Sequence, residues 1–105
     1  MSEWIRVASV DEIPPGTIRE VLAGDRVVAL GNVDGNFCAL DGICPHQGGP
    51  LGKGRLDGGT LTCPWHGWQF DLCTGQHRVN ASIRHTQLAV RVEGADVLVD
   101  VAPET

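Results

Sequence analysis

Tyrosine is missing from this chain altogether, and only three tryptophans and two phenylalanines supply aromatic character. Lysine and arginine number 8 against 13 acidic residues, with no cationic run, for a net charge of −5. That balance argues against nucleic acid as a partner, because phosphate binding rests on clustered cations. No window approaches 18 consecutive apolar residues, so no membrane-spanning helix is expected. The opening MSEWIRVASV has an acidic residue at position 3 and no apolar core of signal-peptide length, so no export signal is expected either. The expected compartment is therefore a reducing cytoplasm, where clustered cysteines more often hold a metal than form disulfides.

The 105 residues are one domain's worth, 42% hydrophobic and 20% charged, a globular composition. Fourteen glycines and six prolines punctuate the chain at short intervals, which suits short strands and tight turns. Apolar alternation or short apolar runs predict strands over Trp4–Val7, Thr17–Leu22, Arg26–Val33 and Phe37–Leu40. Asp34-Gly35 between the last two is a type I′ hairpin signal. Ser9-Val-Asp-Glu12 fits a capping box, but Pro14 and Pro15 limit any helix there to about a turn. Leu88–Val92 and Val97–Val101 predict a second hairpin around Gly94–Asp96, with a buried return strand. Between the ends, residues 41–82 are glycine-rich, with brief strand candidates at Leu61–Cys63 and Gln69–Asp71. The expected fold is all-β: a single domain, a small antiparallel sandwich or barrel. Residues 1–40 and 83–105 form the scaffold, and 41–82 form a loop-rich insertion.

Two stretches of that insertion carry the chemistry, CPHQGG and CPWHGW, with 16 residues between the first histidine and the second cysteine. Each supplies one cysteine and one histidine, at unequal gaps: Cys44-x-His46 and Cys63-x-x-His66. Proline follows each cysteine and stiffens its loop; glycines after each histidine let backbone approach a metal closely. Tetrahedral zinc accepts two thiolates and two imidazoles, so ligand count alone decides nothing. Structural zinc modules usually pair cysteine with cysteine and histidine with histidine. Loops that each deliver one sulfur and one nitrogen suit a [2Fe–2S] cluster whose two irons have different ligands.

The pattern C-x-H, sixteen residues, C-x-x-H, followed by HGWQFDLCTG, closely resembles the Rieske iron–sulfur signature. The resemblance extends over nearly the whole chain. It implies one [2Fe–2S] cluster, with Cys44 and Cys63 on the inner iron and His46 and His66 on the outer, solvent-facing iron. In respiratory members of the family a disulfide links the cluster loops at positions matching Gly49 and Trp65. Hydroxyl-bearing residues stand at positions matching Trp68 and Phe70. Lacking both features, this chain resembles instead the low-potential Rieske ferredoxins of oxygenase systems. The resemblance implies a monomeric cytoplasmic one-electron carrier, not itself an enzyme. Its partners would be a flavin-dependent ferredoxin reductase and a terminal aromatic ring-hydroxylating oxygenase, with no nucleic acid and no membrane. The alternative is the small Rieske-type subunit of an assimilatory nitrite reductase.

The remaining candidates read more blandly. His77 and His85 are expected at the surface, and Cys38 and Cys73 as small buried hydrophobes. Trp65 either shields the centre or fills the gap left by the missing disulfide; for Trp68 packing is favoured. Residues 47–51 with Trp65 and Gly67 form an uncharged tip suited to docking within an acidic body. Gln76–Ser82 lacks the proline that the family often carries in a third loop, so the third wall of the site has no assigned residues.

Overall fold

The computed structural model describes residues 2–44, 48–65, 67–80 and 82–101. Their strands are β1 (Trp4–Ser9), β2 (Ile18–Ala23), β3 (Arg26–Val33), β4 (Asn36–Asp41), β5 (Arg55–Asp57), β6 (Thr60–Thr62), β7 (Gln69–Asp71), β8 (Gln87–Leu88), β9 (Val90–Glu93) and β10 (Asp96–Asp100). They form three antiparallel sheets, ordered β1-β10-β9, β2-β3-β4-β8 and β5-β6-β7. The two helical segments are single 3₁₀ turns at Val10–Glu12 and Leu51–Lys53. In the first, the Ser9 N–H donates to Glu12 Oε1 at 2.7 Å, the backward half of the capping box.

The middle sheet is apolar on both faces, and period two explains why. On β3, Val28 and Leu30 join one core with Ile13, Ala39, Val97 and Val99. Ala29, between them, joins a second core with Leu40, Leu51, Leu61, Phe70 and Leu72. Gly31 also faces that second core; a methyl there would come within 2.5 Å of Leu72 Cδ2. A strand buried on both faces reads as an apolar run, as VVALG does before Asn32. The hairpin from β3 to β4 turns at Asp34 (φ 52°) and Gly35 (φ 95°), both positive as a type I′ turn requires. Buried Asn32 locks it: Nδ2 donates to the Ile13 carbonyl at 2.9 Å, and Oδ1 accepts from Gly35 N–H at 2.7 Å.

Two departures from expectation have physical causes. The stretch Leu88–Val92 is not one strand. Leu88 pairs with Ala39 in the middle sheet, whereas Val90 pairs with Val99 in the outer one, so the chain changes sheets at Ala89. Strand β5 shows no periodicity because it holds a single apolar residue, Leu56, and forms by pairing with β6. Strand β6 ends at Thr62, leaving Cys63 to begin a loop.

Candidate metal centre

Both cysteines of the sequence motif stand at the feet of closed loops. The first loop leaves β4, where Asp41 Oδ1 accepts from Ile43 N–H at 3.0 Å. The Cys44 N–H donates across it to the Gly49 carbonyl at 2.8 Å, and Gly48 N–H returns to the Cys44 carbonyl at 2.9 Å. The second loop joins β6 to β7, and Cys63 N–H donates to the Trp68 carbonyl at 2.8 Å. These bonds fix each Cα against the far side of its own loop. Gly48 and Gly67 adopt positive φ (74° and 70°), so they are needed to turn the chain. Gly49 answers to close approach instead: a methyl there would lie 2.8 Å from Cys63 Sγ and 3.1 Å from Trp65 Cβ.

Cys44 and Cys63 carry free thiols, each only 2% exposed, packed with Leu51, Leu61 and Phe70. Burial pushes the Cys63 thiol pKa up; the Trp65 backbone N–H aimed at its sulfur pulls it down, and adjacent Cys44 raises it further. The two sulfurs are therefore neighbours. Paired thiolates in a buried pocket repel one another unless a cation lies between them. The donor set thus fits a thiolate-bound metal centre gripped from its buried side. His46 and His66 lie outside the described residues.

The segment after β7, left without a role by the sequence, forms a wall beside the second loop. His77 packs edge-on against Trp68 (centroids 4.8 Å apart) and Phe70 (5.3 Å). Its Nδ1 accepts from the N–H groups of Val79 (3.1 Å) and Asn80 (2.9 Å), which folds 77–80 back beside the second loop. An open groove runs along this wall, lined by Gly67, Trp68, His77, Val79 and Ile83. His85 Nε2 bonds the Asp41 carbonyl at 2.9 Å, with its ring 5.7 Å from Phe70. Neither histidine is a free surface residue, contrary to expectation; both are half-buried struts. Trp68 is half-buried against the second core, as packing requires, while Trp65 stands 50% exposed over Gly49. Leu51, expected in the uncharged tip, is fully buried, and exposed Ile43 beside Cys44 takes its part. The signal for Ile43 was available, since it adjoins a ligand candidate.

Cys38 and Cys73 are not inert hydrophobes. They form a disulfide, S–S 1.97 Å, across 35 residues. Ala39 faces the first core, so alternation turns Cys38 toward the third sheet, where the turn after β7 presents Cys73. Asp71 Oδ1 shapes that turn, accepting from the N–H groups of Cys73 (2.9 Å) and Thr74 (3.2 Å). An inference from compartment bears on how thiols are kept, not on whether two Cα atoms meet.

The Rieske [2Fe-2S] domain pattern matches residues 3–98. This chain belongs to the Rieske family. Among its relatives, the ferredoxin component of the alkene monooxygenase system of Xanthobacter autotrophicus is 36% identical over 102 residues, covering 96% of this chain and 84% of the relative. The biphenyl dioxygenase ferredoxin subunit of a Pseudomonas species is 37% identical over 99 residues, covering 92% and 91%. A solved complex of reduced oxygenase and oxidized ferredoxin in carbazole 1,9a-dioxygenase contains a chain that superposes at TM-score 0.86. That chain is 31% identical, over 97% of this chain and 96% of it. The Rieske assignment implies an iron–sulfur cluster. Among the described residues, no helix of this Rieske protein is long and apolar enough to cross a membrane.

Proposed function

We propose that this protein is a cytoplasmic one-electron carrier holding a single [2Fe–2S] cluster. It takes electrons from a flavin-containing reductase, passes them to a terminal ring-hydroxylating oxygenase, and performs no substrate chemistry itself. The observation that carries the reading is the buried, adjacent pair Cys44 and Cys63 at the feet of two loops that each continue into a histidine. Relatives named as ferredoxin components of oxygenase systems, and a ferredoxin solved with its oxygenase, support the partners.

Bound, the cluster supplies a reversible one-electron site. Cys44 and Cys63 would hold it, while Leu51, Leu61 and Phe70, all fully buried, keep water from the sulfurs. His46 and His66 would complete the ligand set. Each would have one ring nitrogen left to carry a proton, and the imidazoles would be the route for the electron. Trp65, Ile43 and Gly67 provide an uncharged rim suited to the small, short-lived interfaces of redox encounters.

The test has two parts. The dithionite-reduced protein should be paramagnetic with a mixed sulfur–nitrogen ligand signature, and Cys44→Ala or Cys63→Ala should be colourless after anaerobic iron and sulfide loading. NADH-driven turnover should then require this protein when it is combined with a flavoprotein reductase and a ring-hydroxylating oxygenase. A colourless wild-type protein rejects the cluster; a coloured protein that no such pair can use rejects the partners.

A further inference from the structure

The third sheet has two chemically different faces. Leu56, Leu61 and Phe70 form one register row pointing into the second core. Their neighbours on either side therefore point outward, as two further rows. Arg55, Thr62 and Gln69 make one row, and Asp57, Thr60 and Asp71 the other. The arginine row is the one beside the candidate centre, because Thr62 directly precedes Cys63 and Gln69 directly follows Trp68. Arg78 extends it, its N–H donating to the Gln69 carbonyl at 2.9 Å. Both ends of this row thus carry a guanidinium. Between them Gln69 Nε2 donates to Thr62 Oγ1 at 3.2 Å, and the row shares a polar cleft with Asp57 and Thr60 of the other row, so two guanidinium groups face it against one lining carboxylate. From strand and residue spacings, Arg55 Cα lies about 6 Å from Cys63 Cα, inside one Debye length at 0.1 M salt.

The charges around this edge are unevenly shared. Arg78 has Asp71 at 3.7 Å, and Lys53 has Glu20 at 3.8 Å. Arg55 has no salt-bridge partner among the described residues. Residues 42–86, between β4 and β8, hold four cations (Lys53, Arg55, Arg78, Arg84) against Asp57 and Asp71, a balance of +2. Since the whole chain carries −5, the remainder carries −7. Counted along the chain, the insertion that carries the candidate centre is positive and the scaffold negative.

We propose that Arg55 and Arg78 form a cationic docking edge that turns the port toward a carboxylate-rich surface on the electron-transfer partner. This rests on the electron-carrier reading. The acidic scaffold repels the same surface and so disfavours docking by the wrong end, an orienting effect worth about tenfold or more in encounter rate at low salt.

Small ions sense the local field without any partner. In stopped flow, the dithionite-reduced protein gives one electron to ferricyanide, which becomes ferrocyanide, and cluster absorbance reports the step. Although the protein and ferricyanide are both net negative, the rate should fall as salt is raised, by about tenfold across the range where screening sets in. With hexaammineruthenium(III) as acceptor the rate should rise. Arg55→Glu/Arg78→Glu should reverse both slopes. Arg91→Glu on the far outer sheet changes net charge with the same sign and should leave both slopes' signs unchanged; Arg55→Gln, a milder change, should weaken them. On electrodes, direct exchange should be faster at a carboxylate-terminated monolayer than at an ammonium-terminated one, and the double variant should reverse that order. A ferricyanide rate that rises with salt in the wild type, or equal responses of the Arg55/Arg78 and Arg91 variants, overturns the proposal. Absence of any cluster absorbance would instead overturn the carrier reading beneath it.

Discussion

Opening the Cys38–Cys73 link should weaken the fold severely while leaving the centre's colour unchanged. The bridge closes a 35-residue loop that contains Cys44, Cys63 and the whole third sheet. In the chain-entropy account, confining a loop of that length in the unfolded state is worth about 4 kcal/mol at 25 °C. Against a total of about 5–15 kcal/mol for a domain of this kind, that is a large share. For about 100 residues, each kcal/mol moves the melting midpoint by roughly 4 °C or more, so Cys38→Ala/Cys73→Ala should melt about 15 °C or more below wild type. Neither cysteine belongs to the ligand set, so the double variant should keep the visible spectrum of the wild type at low temperature. The assay is far-ultraviolet dichroism and cluster absorbance at one common scan rate, because cluster loss makes the midpoint operational. Thiol titration of the denatured, cluster-stripped protein supplies the second measurement. Two reactive thiols are expected from the air-purified wild type. Four thiols, or a double variant melting within a few degrees of wild type, would refute the reasoning.

Other expectations concern the centre and its walls. Gly49→Ala places a methyl against Cys63 Sγ and Trp65 Cβ, so it should destabilise by about 1–3 kcal/mol and lower iron content, read by denaturation and metal analysis. The same closeness means Gly49→Cys/Trp65→Cys should form a second disulfide, visible as the mass of the non-reduced protein; with Cys44 and Cys63 still free, two thiols are expected in the oxidised, cluster-stripped double variant and four would contradict it. With Trp68 and the buried Phe70 where hydroxyl groups would favour the reduced state, the midpoint should lie near the lower Rieske limit of about −150 mV. Reduction should tighten proton binding on the ring nitrogens of His46 and His66. The midpoint should therefore fall at alkaline pH, toward about 59 mV per unit for one proton per electron, and voltammetry flat up to high pH would exclude this coupling. His77→Ala leaves the N–H groups of Val79 and Asn80 without their acceptor and should cost about 1–3 kcal/mol, whereas His77→Asn should recover much of it, measured by chemical denaturation.

What the sequence revealed and what it hid divide along the range of the interactions. The hairpin at Asp34-Gly35 and the boundaries of β3 were legible because turn chemistry and alternation are local. Strand β5 was not, since Arg-Leu-Asp carries no period and becomes a strand only beside Thr60–Thr62. The switch at Ala89 was equally silent: Leu88 and Val90 continue one alternation while serving different sheets. The Cys38–Cys73 bond depends on which face of β4 meets the turn after β7, a fact of assembly. His77 and His85 were misjudged for the same reason. Their burial comes from Trp68 and Phe70 on one side and the Asp41 carbonyl on the other, all distant along the chain or across a turn.

Trp4 pairs with Asp100 on neighbouring strands of the outer sheet. The points where the chain enters and leaves the fold thus lie side by side, and the middle sheet separates them from Cys44 and Cys63. A tether joined at either end would pull on one layer and leave the thiol-bearing loops free to face outward. Anchored that way to a solid support, the protein would present its redox end to solution, ready for wiring to an electrode or grafting beside an enzyme.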